Sequence, residues 1–405
     1  MKNIYIFTHS FPYTENIETY LATELKIVSE FPDIQIFLIP LRKSKFCRKT
    51  PQNISIINNL TELSLLKKGL IFFAMLLHTR FWKMFLEKNH RFKTVKNLFQ
   101  VIKYYYGGCL IYSFLRQQQT NIPKNSVLYS YWFALTPLGF ALYKEKTNNP
   151  QNYTFVSRAH GYDLFGLERN ILIPYRQFTL SQIDAIYSAS KMGAEYLQSK
   201  YPEFYSKIHT SYLGIETLSI EKKEQKKDEL ICVSCSNFAS VKRLPLIFDS
   251  LNQFAFHNSD LKIKWIHFGS GKQFESFKRQ IESIKKSNIT IELFGFVAPE
   301  QLHKWYAAHE VDVFINLSTS EGLPVSLMEA IGYGIPILAT DAGGNKEICN
   351  QETGYLLPVL FAQEQFEEAI KIILSNQEIL KNSCYNFFQN NFNASQNYAM
   401  FYKTI

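Results

Sequence analysis

What the chain lacks narrows it first. Its 405 residues contain no uninterrupted apolar stretch of about 20, so we expect no membrane-spanning helix. Met1 to His9 read directly as a short strand, without an apolar core followed by a small-residue cleavage site. We therefore expect no secretory signal, and an intracellular protein. No long-period repeat, low-complexity tract or collagen-like pattern is present, which sets aside solenoids and fibres. The six cysteines (Cys47, Cys109, Cys232, Cys235, Cys349 and Cys384) are scattered, and we expect reduced, mostly buried thiols. Cys232 and Cys235 have the spacing of a metal or redox pair, but they sit inside an apolar, strand-like run. A separation of three on a strand turns the two thiols to opposite faces, and no second pair completes a zinc site. Residues 265–272 invite a phosphate-loop reading. It fails, because Ile266 stands where the first glycine belongs and Gln273 replaces the serine or threonine, and the third glycine of a dinucleotide fingerprint is also missing.

What is present describes a soluble globular protein: 46% hydrophobic and 20% charged residues. The length exceeds one ordinary core, so two domains of about 200 residues are expected. The charged run at 221–228 marks a linker between them. Before it, apolar runs recur at 4–7, 34–39, 126–131, 154–157 and 185–187. After it, they recur at 230–234, 263–268, 289–294, 311–317 and 336–339, with helical patterns between. Strands alternating with helices predict an α/β fold, two Rossmann-like units with parallel sheets that bind ligands at the carboxyl ends of their strands.

The net charge of +9 is concentrated. Residues 64–103 hold nine basic side chains, among them Lys67, Lys68, Lys83, Lys88, Arg91 and Lys93, against a single acid, Glu87. The same window is rich in leucine and phenylalanine. Basic plus aromatic, below spanning length, is the composition of helices lying on an anionic membrane surface, and no nucleic-acid motif accompanies it.

Residues 320–340 carry the chemistry. Glu321 and Glu329 stand eight positions apart across a Gly-Leu-Pro junction that reads as a helix start, between strand-like runs at 311–317 and 335–339. Pro324 suits the first helical turn, because its missing N–H would have no partner there. The N–H groups of Val325 and Ser326 would then point out of the helix start and suit a phosphate. Ionised carboxylates only accept hydrogen bonds, so they pair naturally with sugar hydroxyls.

Glu321-x7-Glu329, with Ala330, Gly334, Pro336, the Gly343-Gly344-x-x-Glu347 segment and Gly354 to Leu357, resembles the donor-binding signature of family 4 glycosyltransferases. These are retaining, nucleotide-sugar-dependent enzymes of the GT-B architecture. The resemblance implies two Rossmann-like domains facing across a cleft: an acceptor-binding domain over 1–218 and a nucleotide-sugar domain over 219–385. A helix over 386–405 would pack back on the first. It assigns Glu321 to the donor hexose and Glu329 to the ribose, with Gly322, Leu323 and Pro324 lining the loop. Lys242 matches the lysine that grips the donor diphosphate. The usual arginine five positions earlier is replaced by Asn237, and Arg243 is the candidate substitute. Gly271 belongs to a tight turn near the cleft, and Phe296 and Val297 follow the strand that meets the nucleotide base. His160, within His160-Gly-x-Asp163, matches the histidine that faces the donor sugar. Glu321, His160 and Lys242 thus form the implied catalytic set. On the acceptor side, His9, Glu15, Glu18, Tyr131, Trp132 and Asp163 stand near strand ends.

The implied reaction transfers a hexose-type sugar to a glycan or lipid-linked glycan, in the biosynthesis of a cell-surface polysaccharide such as lipopolysaccharide or capsule. Domain closure would assemble the site. No Asp-x-Asp, the motif that commonly holds the cation in GT-A transferases, occurs in the chain. We therefore expect no metal and no cofactor, the donor being a co-substrate. The expected location is cytoplasmic, peripheral to the inner face of the plasma membrane, with no nucleic-acid partner. The rival readings are a GT-B nucleotide-sugar epimerase and a non-catalytic, membrane-associated protein of the same fold.

Overall fold

A computed structural model of the chain describes residues 1–14, 17–18, 20–86, 95–165, 172–220, 229–282 and 288–405. The charged run at 221–228 lies outside the described residues, as do Glu15, Glu87, Lys88, Arg91 and Lys93. The chain forms two compact units, 1–214 together with 394–405, and 215–393. The expected boundary was 218/219, with the last helix beginning at 386.

The first unit runs β1 (Lys2–Thr8), α1 (Tyr20–Val28), β2 (Ile34–Pro40), β3 (Ile54–Ile56), α2 (Leu65–Leu76), α3 (Thr79–Leu86), α4 (Val95–Gln118), β4 (Val127–Ser130), α5 (Leu135–Thr147), β5 (Thr154–Ala159), α6 (Gly161–Leu164), α7 (Arg176–Gln182), β6 (Ala185–Ser188), α8 (Lys191–Lys200) and β7 (Ile208–Thr210). Its strands are parallel in the order β3-β2-β1-β4-β5-β6-β7. The centre of β1, residues 4–7, shows why such a run is apolar at every position. Tyr5 and Phe7 enter one core, with Phe114, Phe140 and Phe155, while Ile4 and Ile6 enter another, with Leu21, Leu25 and Tyr129. A parallel strand covered on both faces needs an apolar residue at every position rather than every second one. The edge strands β3 (Ile-Ser-Ile) and β7 (Ile-His-Thr) have three residues each with polar residues among them, so neither registers as an apolar run in the sequence.

The second unit runs β8 (Glu229–Cys235), α9 (Leu244–His257), β9 (Lys262–Phe268), α10 (Phe274–Glu282), β10 (Ile289–Gly295), α11 (Pro299–Ala308), β11 (Val313–Asn316), α12 (Val325–Gly332), β12 (Ile337–Thr340), β13 (Gly354–Leu357), α13 (Gln363–Ser375) and α14 (Gln377–Asn391). Its parallel order is β10-β9-β8-β11-β12-β13. Cys232 is buried in β8 beside Trp265, and burial pushes the Cys235 thiol up to about 12. Both are free, which suits packing rather than thiolate chemistry.

The last helix, α15 (Ala394–Thr404), belongs to the first unit. Tyr398, Phe401 and Tyr402 are buried by it, each worth roughly 1.5–3 kcal/mol as transferred apolar surface. Polar groups fix its seat. Tyr402 Oη donates to Glu24 Oε1 at 2.9 Å, Tyr129 Oη donates to the same oxygen at 3.2 Å, and Arg158 Nε donates to Tyr129 Oη at 3.1 Å. The Arg158 guanidinium also lies 4.2 Å over the Phe401 ring. Burial raises the Glu24 pKa, and the Arg158 charge opposes that rise.

Candidate functional site

In each sheet one central pair of strands marks the point where the winding direction reverses, and loops diverge there to leave a crevice. In the second unit that pair is β8 and β11. The loop after β8 ends in a 3-10 turn, Ser240–Lys242, and Arg243 then takes a left-handed conformation (φ 48°) to start α9. Thr319 N donates to Val241 O at 2.8 Å, tying the loop after β11 to the loop after β8. This brings Lys242 Nζ within 2.6 Å of Glu321 Oε1, to which Asn316 Nδ2 also donates at 3.2 Å. Glu321 is buried, while the Lys242 side chain keeps 21% of its surface. Gly343 and Gly344 make room for the Glu321 loop. A Cβ on Gly343 would stand 2.2 Å from Glu321 O, and one on Gly344 would stand 2.0 Å from Gly322 O. Gly344 N meanwhile donates to Gly322 O at 2.9 Å.

α12 begins one residue later than the proline suggested. Pro324 is its cap rather than part of its first turn, and Leu327 N donates to Pro324 O at 3.1 Å. The N–H groups of Val325 and Ser326 donate to no described residue, and the helix has no side-chain cap. That is a ready position for an anion. Glu329, buried on the same helix, faces His303 of α11, with Nε2 3.6 Å from Oε1. His303 Nδ1 lies 2.9 Å from Tyr333 Oη, which accepts from Leu218 N at 3.1 Å. Since Tyr333 accepts from the backbone, its own hydrogen is free for Nδ1, which leaves Nε2–H facing the carboxylate. His303, Tyr333 and Asn316 carry no signal in the sequence, because a lone histidine, tyrosine or asparagine reads as packing or as an element end.

The remaining donor-side candidates divide. Arg243 Nε donates to Leu317 O and Nη1 to Val359 O at 2.8 Å, while Nη2 is buried without a partner. Two of its three nitrogens are thus committed to backbone carbonyls. Asn237 is exposed. Gly271 lies against Phe238, whose Cβ a new methyl would meet at 2.8 Å. Phe296 is exposed and Val297 half-buried, both just past β10.

In the first unit the reversal lies between β1 and β4. A cavity of about 650 Å³ opens there, lined among others by His9, Trp132 and Asp163. Glu18 holds its rim from behind. One carboxylate accepts from His9 N (2.6 Å), Ser10 N (3.0 Å), Phe11 N (2.7 Å) and Trp132 Nε1 (2.7 Å). Four donors fill a carboxylate's acceptor capacity, so Glu18 organises the loop and has no lone pair left for a sugar hydroxyl. Asp163 is committed likewise: its oxygens accept from His160 N and from Phe133 N, the latter at 2.6 Å. Burial nevertheless raises its pKa to about 7. His160 Nε2 lies 3.1 Å from Tyr131 O, which can only accept, so this nitrogen carries the proton. Its ring packs 4.8 Å from Trp132 and 5.0 Å from Tyr131. Burial, helped by the Arg158 charge, lowers the His160 pKa to about 3, so the ring is neutral at ordinary pH. Glu15 lies outside the described residues.

A family model described as glycosyl transferases group 1 matches residues 216–390, nearly the whole of the second unit. The second unit is thus similar over nearly its whole length to the group 1 glycosyl transferases. Lys242, Glu321, Glu329 and His303 all fall inside this group 1 segment, whereas His160 and the cavity lie outside it. Among curated proteins, the chain is similar to the UDP-N-acetylglucosamine–peptide N-acetylglucosaminyltransferase GtfA subunit of Streptococcus pneumoniae. That match is 28% identical over 48% of this chain and 38% of the relative. Protein CapJ of Staphylococcus aureus is 27% identical over 53% of this chain and 55% of its own length. The chain thus spans about two fifths to just over half of these relatives. Among solved structures, the lipopolysaccharide outer core galactosyltransferase WaaB aligns over 100% of both chains, with a TM-score of 0.66 at 15% identity. The group 1 unit and its partner are therefore the two Rossmann-like units of a GT-B fold. Likeness at that identity establishes architecture alone.

Proposed function

We propose that the protein is a retaining glycosyltransferase. It moves a hexose-type sugar from a nucleotide diphosphate sugar to a glycan or lipid-linked glycan acceptor, in the assembly of a surface polysaccharide. Most of the weight falls on the Lys242–Glu321 pair at 2.6 Å, set at the sheet's reversal point beside the open start of α12. A buried carboxylate whose main partner is a partly exposed ammonium is poised to exchange that partner for ligand groups. Lys242 would turn to the diphosphate, and Glu321 would then accept from sugar hydroxyls. The Val325 and Ser326 N–H groups would take phosphate oxygens, and Glu329, oriented by His303, would take the ribose.

In the transfer itself, an acceptor hydroxyl oxygen bonds to the anomeric carbon as the bond from that carbon to the diphosphate oxygen breaks. The acceptor's proton passes to the departing phosphate on the same face, so configuration is retained and no separate base is needed. Lys242 and the helix start stabilise the charge gathering on the leaving group, a contribution that grows in the transition state. His160, assigned to the donor sugar by resemblance, would act as a neutral hydrogen-bonding group. The reaction is proposed to need no metal, so turnover should persist in EDTA.

A panel of UDP-, GDP- and ADP-sugars read by thermal shift tests the reading. UDP-sugars come first, since the S. pneumoniae relative is named for one. Stabilisation by a donor, lost in Glu329→Ala, is expected. No stabilisation by any member would overturn the reading, and release of an isomerised sugar from donor without acceptor would favour an epimerase.

We also propose contact with an anionic membrane surface. Among described residues of the basic segment, Met75 and Phe81 are buried, but α2 exposes Leu65, Leu66, Leu70 and Phe73 near Lys67 and Lys68, and Leu77 just past it is exposed too. An apolar row left in water beside cations is the pattern of an interfacial helix. Flotation with anionic vesicles should fall in Leu66→Gln/Leu70→Gln/Phe73→Gln and in high salt. Equal flotation of variant and parent would sink this assignment.

A further inference from the structure

The cavity at the β1/β4 reversal has a chemistry that the donor-side reading does not use. Its walls are chiefly apolar: Ile17, Leu41, Phe99, Leu135, Leu172 and Ile173. Two cations stand among them, Arg42 just past β2 and Lys103 on α4. Both are exposed, and neither has an ion pair or hydrogen bond with a described residue. They act on one place, since the charges of both bear on the His9 ring and help to lower its pKa. Ala134, Leu135 and Thr136 also line the cavity. They form the start of α5, a helix of 13 residues with no side-chain cap, which adds the positive end of its dipole to the same region. The carboxylate that reaches the wall, Asp163, is already held by His160 N and Phe133 N. Among the described residues, the charge balance at one side of the cavity is therefore positive, and most of the remaining lining is hydrocarbon.

α4 provides continuity with the surface. Phe99, Gln100, Lys103 and Tyr104 share one face of it and line the cavity, yet Phe99 is 69% exposed. The same helix packs against α2, which carries the exposed apolar row. A volume of about 650 Å³ lies in the range of small-ligand sites and accommodates a charged group with part of a chain.

We infer that this cavity binds an amphiphile bearing a phosphate or diphosphate on an aliphatic chain, with Arg42 and Lys103 at the phosphate and the apolar wall along the chain. Under the glycosyltransferase reading, on which the word acceptor rests, this is the lipid end of a lipid-linked acceptor. A neutral oligosaccharide would leave both cations unmatched and the hydrocarbon wall wet, so the chemistry selects against it.

Titration calorimetry on the full chain tests the inference, with dodecyl phosphate below its micellar concentration as the probe. Dodecyl β-glucoside and inorganic phosphate serve as the chain-only and charge-only controls. Dodecyl phosphate should bind at least tenfold more tightly than either, and Arg42→Gln/Lys103→Gln should lose at least tenfold while UDP binding and thermal transition stay unchanged. Both residues are exposed, so the double variant should fold. Should it fail to, Lys103→Gln alone reads the same loss in part. Farnesyl phosphate and lysophosphatidic acid as further arms then separate a prenyl from an acyl source, and preference for either supports the site.

Equal binding of the glucoside, equal binding of inorganic phosphate, or an unchanged affinity in the variants would each overturn it. Binding of a UDP-sugar without any binding of dodecyl phosphate sinks this inference and leaves the transferase reading standing. Binding of dodecyl phosphate without stabilisation by any UDP-, GDP- or ADP-sugar sinks the transferase reading and leaves a lipid-phosphate site.

Discussion

The two reversal points handle their polar groups in opposite ways. In the second unit the key groups are matched to one another: Glu321 to Lys242 and Asn316, and Glu329 to His303 across 3.6 Å. A ligand can displace such partners, because a nucleotide diphosphate sugar offers phosphate oxygens to the lysine and hydroxyls to the carboxylates in return. In the first unit the conspicuous carboxylates are consumed by backbone N–H groups and, for Glu18, the Trp132 indole. Glu18 serves four N–H donors and Asp163 two, leaving the unmatched charge to Arg42 and Lys103 on an apolar wall. Exchangeable side-chain pairs mark a place where a polar ligand is read. Saturated carboxylates mark scaffolding, even in a crevice.

Six substitutions would break or sharpen that contrast. Lys242→Ala should have the largest effect, lowering kcat by about 10²-fold or more, since it removes the cation that supports the leaving group. Glu321→Gln should act in the same direction, with donor affinity changed less than turnover. Steady-state kinetics with separate donor-binding measurements check both, and equal small effects on kcat and affinity would erase the distinction drawn for this unit. Next comes Glu18→Ala, which orphans four donors at once. It should destabilise the first unit by roughly 3 kcal/mol or more in denaturant titration, because buried donors left without partners bear their full desolvation cost. If Glu18→Ala instead left stability intact and abolished acceptor use, Glu18 would be a ligand group after all.

Glu329→Ala should weaken nucleotide binding about tenfold, close to 1.4 kcal/mol, with kcat at saturation nearly preserved. His303→Phe should reproduce part of that loss if His303 orients the carboxylate, and none of it if the contact is incidental. The smallest effect is a pH dependence. His160 has a folded pKa of about 3 against an ordinary 6.5, so the unfolded chain binds more protons between those values. Its contribution to stability is complete above pH 6.5 and is lost as pH falls towards 3. His160→Gln should therefore flatten the acid limb of the melting temperature over that window. Parallel acid limbs in variant and parent would show that the ring titrates normally.

Much of this was legible beforehand. The ten apolar runs map onto ten strands, because a parallel strand covered on both faces buries side chains at successive positions of its centre. The edge strands β3 and β7 escaped notice at three residues each. The Glu321/Glu329 spacing, the glycine pair at 343–344 and Lys242 were readable because they are close in sequence or carry a family signature. Arg243, read as a substitute for the missing phosphate-gripping arginine, shows the limit. Sequence places a guanidinium near the site, but only the packing shows its Nε and Nη1 turned to the Leu317 and Val359 carbonyls.

The sequence by itself determined the alternating α/β plan, the group 1 signature in the second unit and the concentration of basic and aromatic residues at 64–103. Those are local properties: periodicity, short motifs and composition. Tertiary structure alone decided which charged groups are free. Glu18 meets Trp132 from 114 positions away, Glu24 meets Tyr402 from 378, and Lys242 meets Glu321 from 79. Whether a carboxylate is a ligand or a scaffold depends on how many donors the fold delivers to it. That number is set by the meeting of distant loops at a sheet's reversal point, where no local pattern records it.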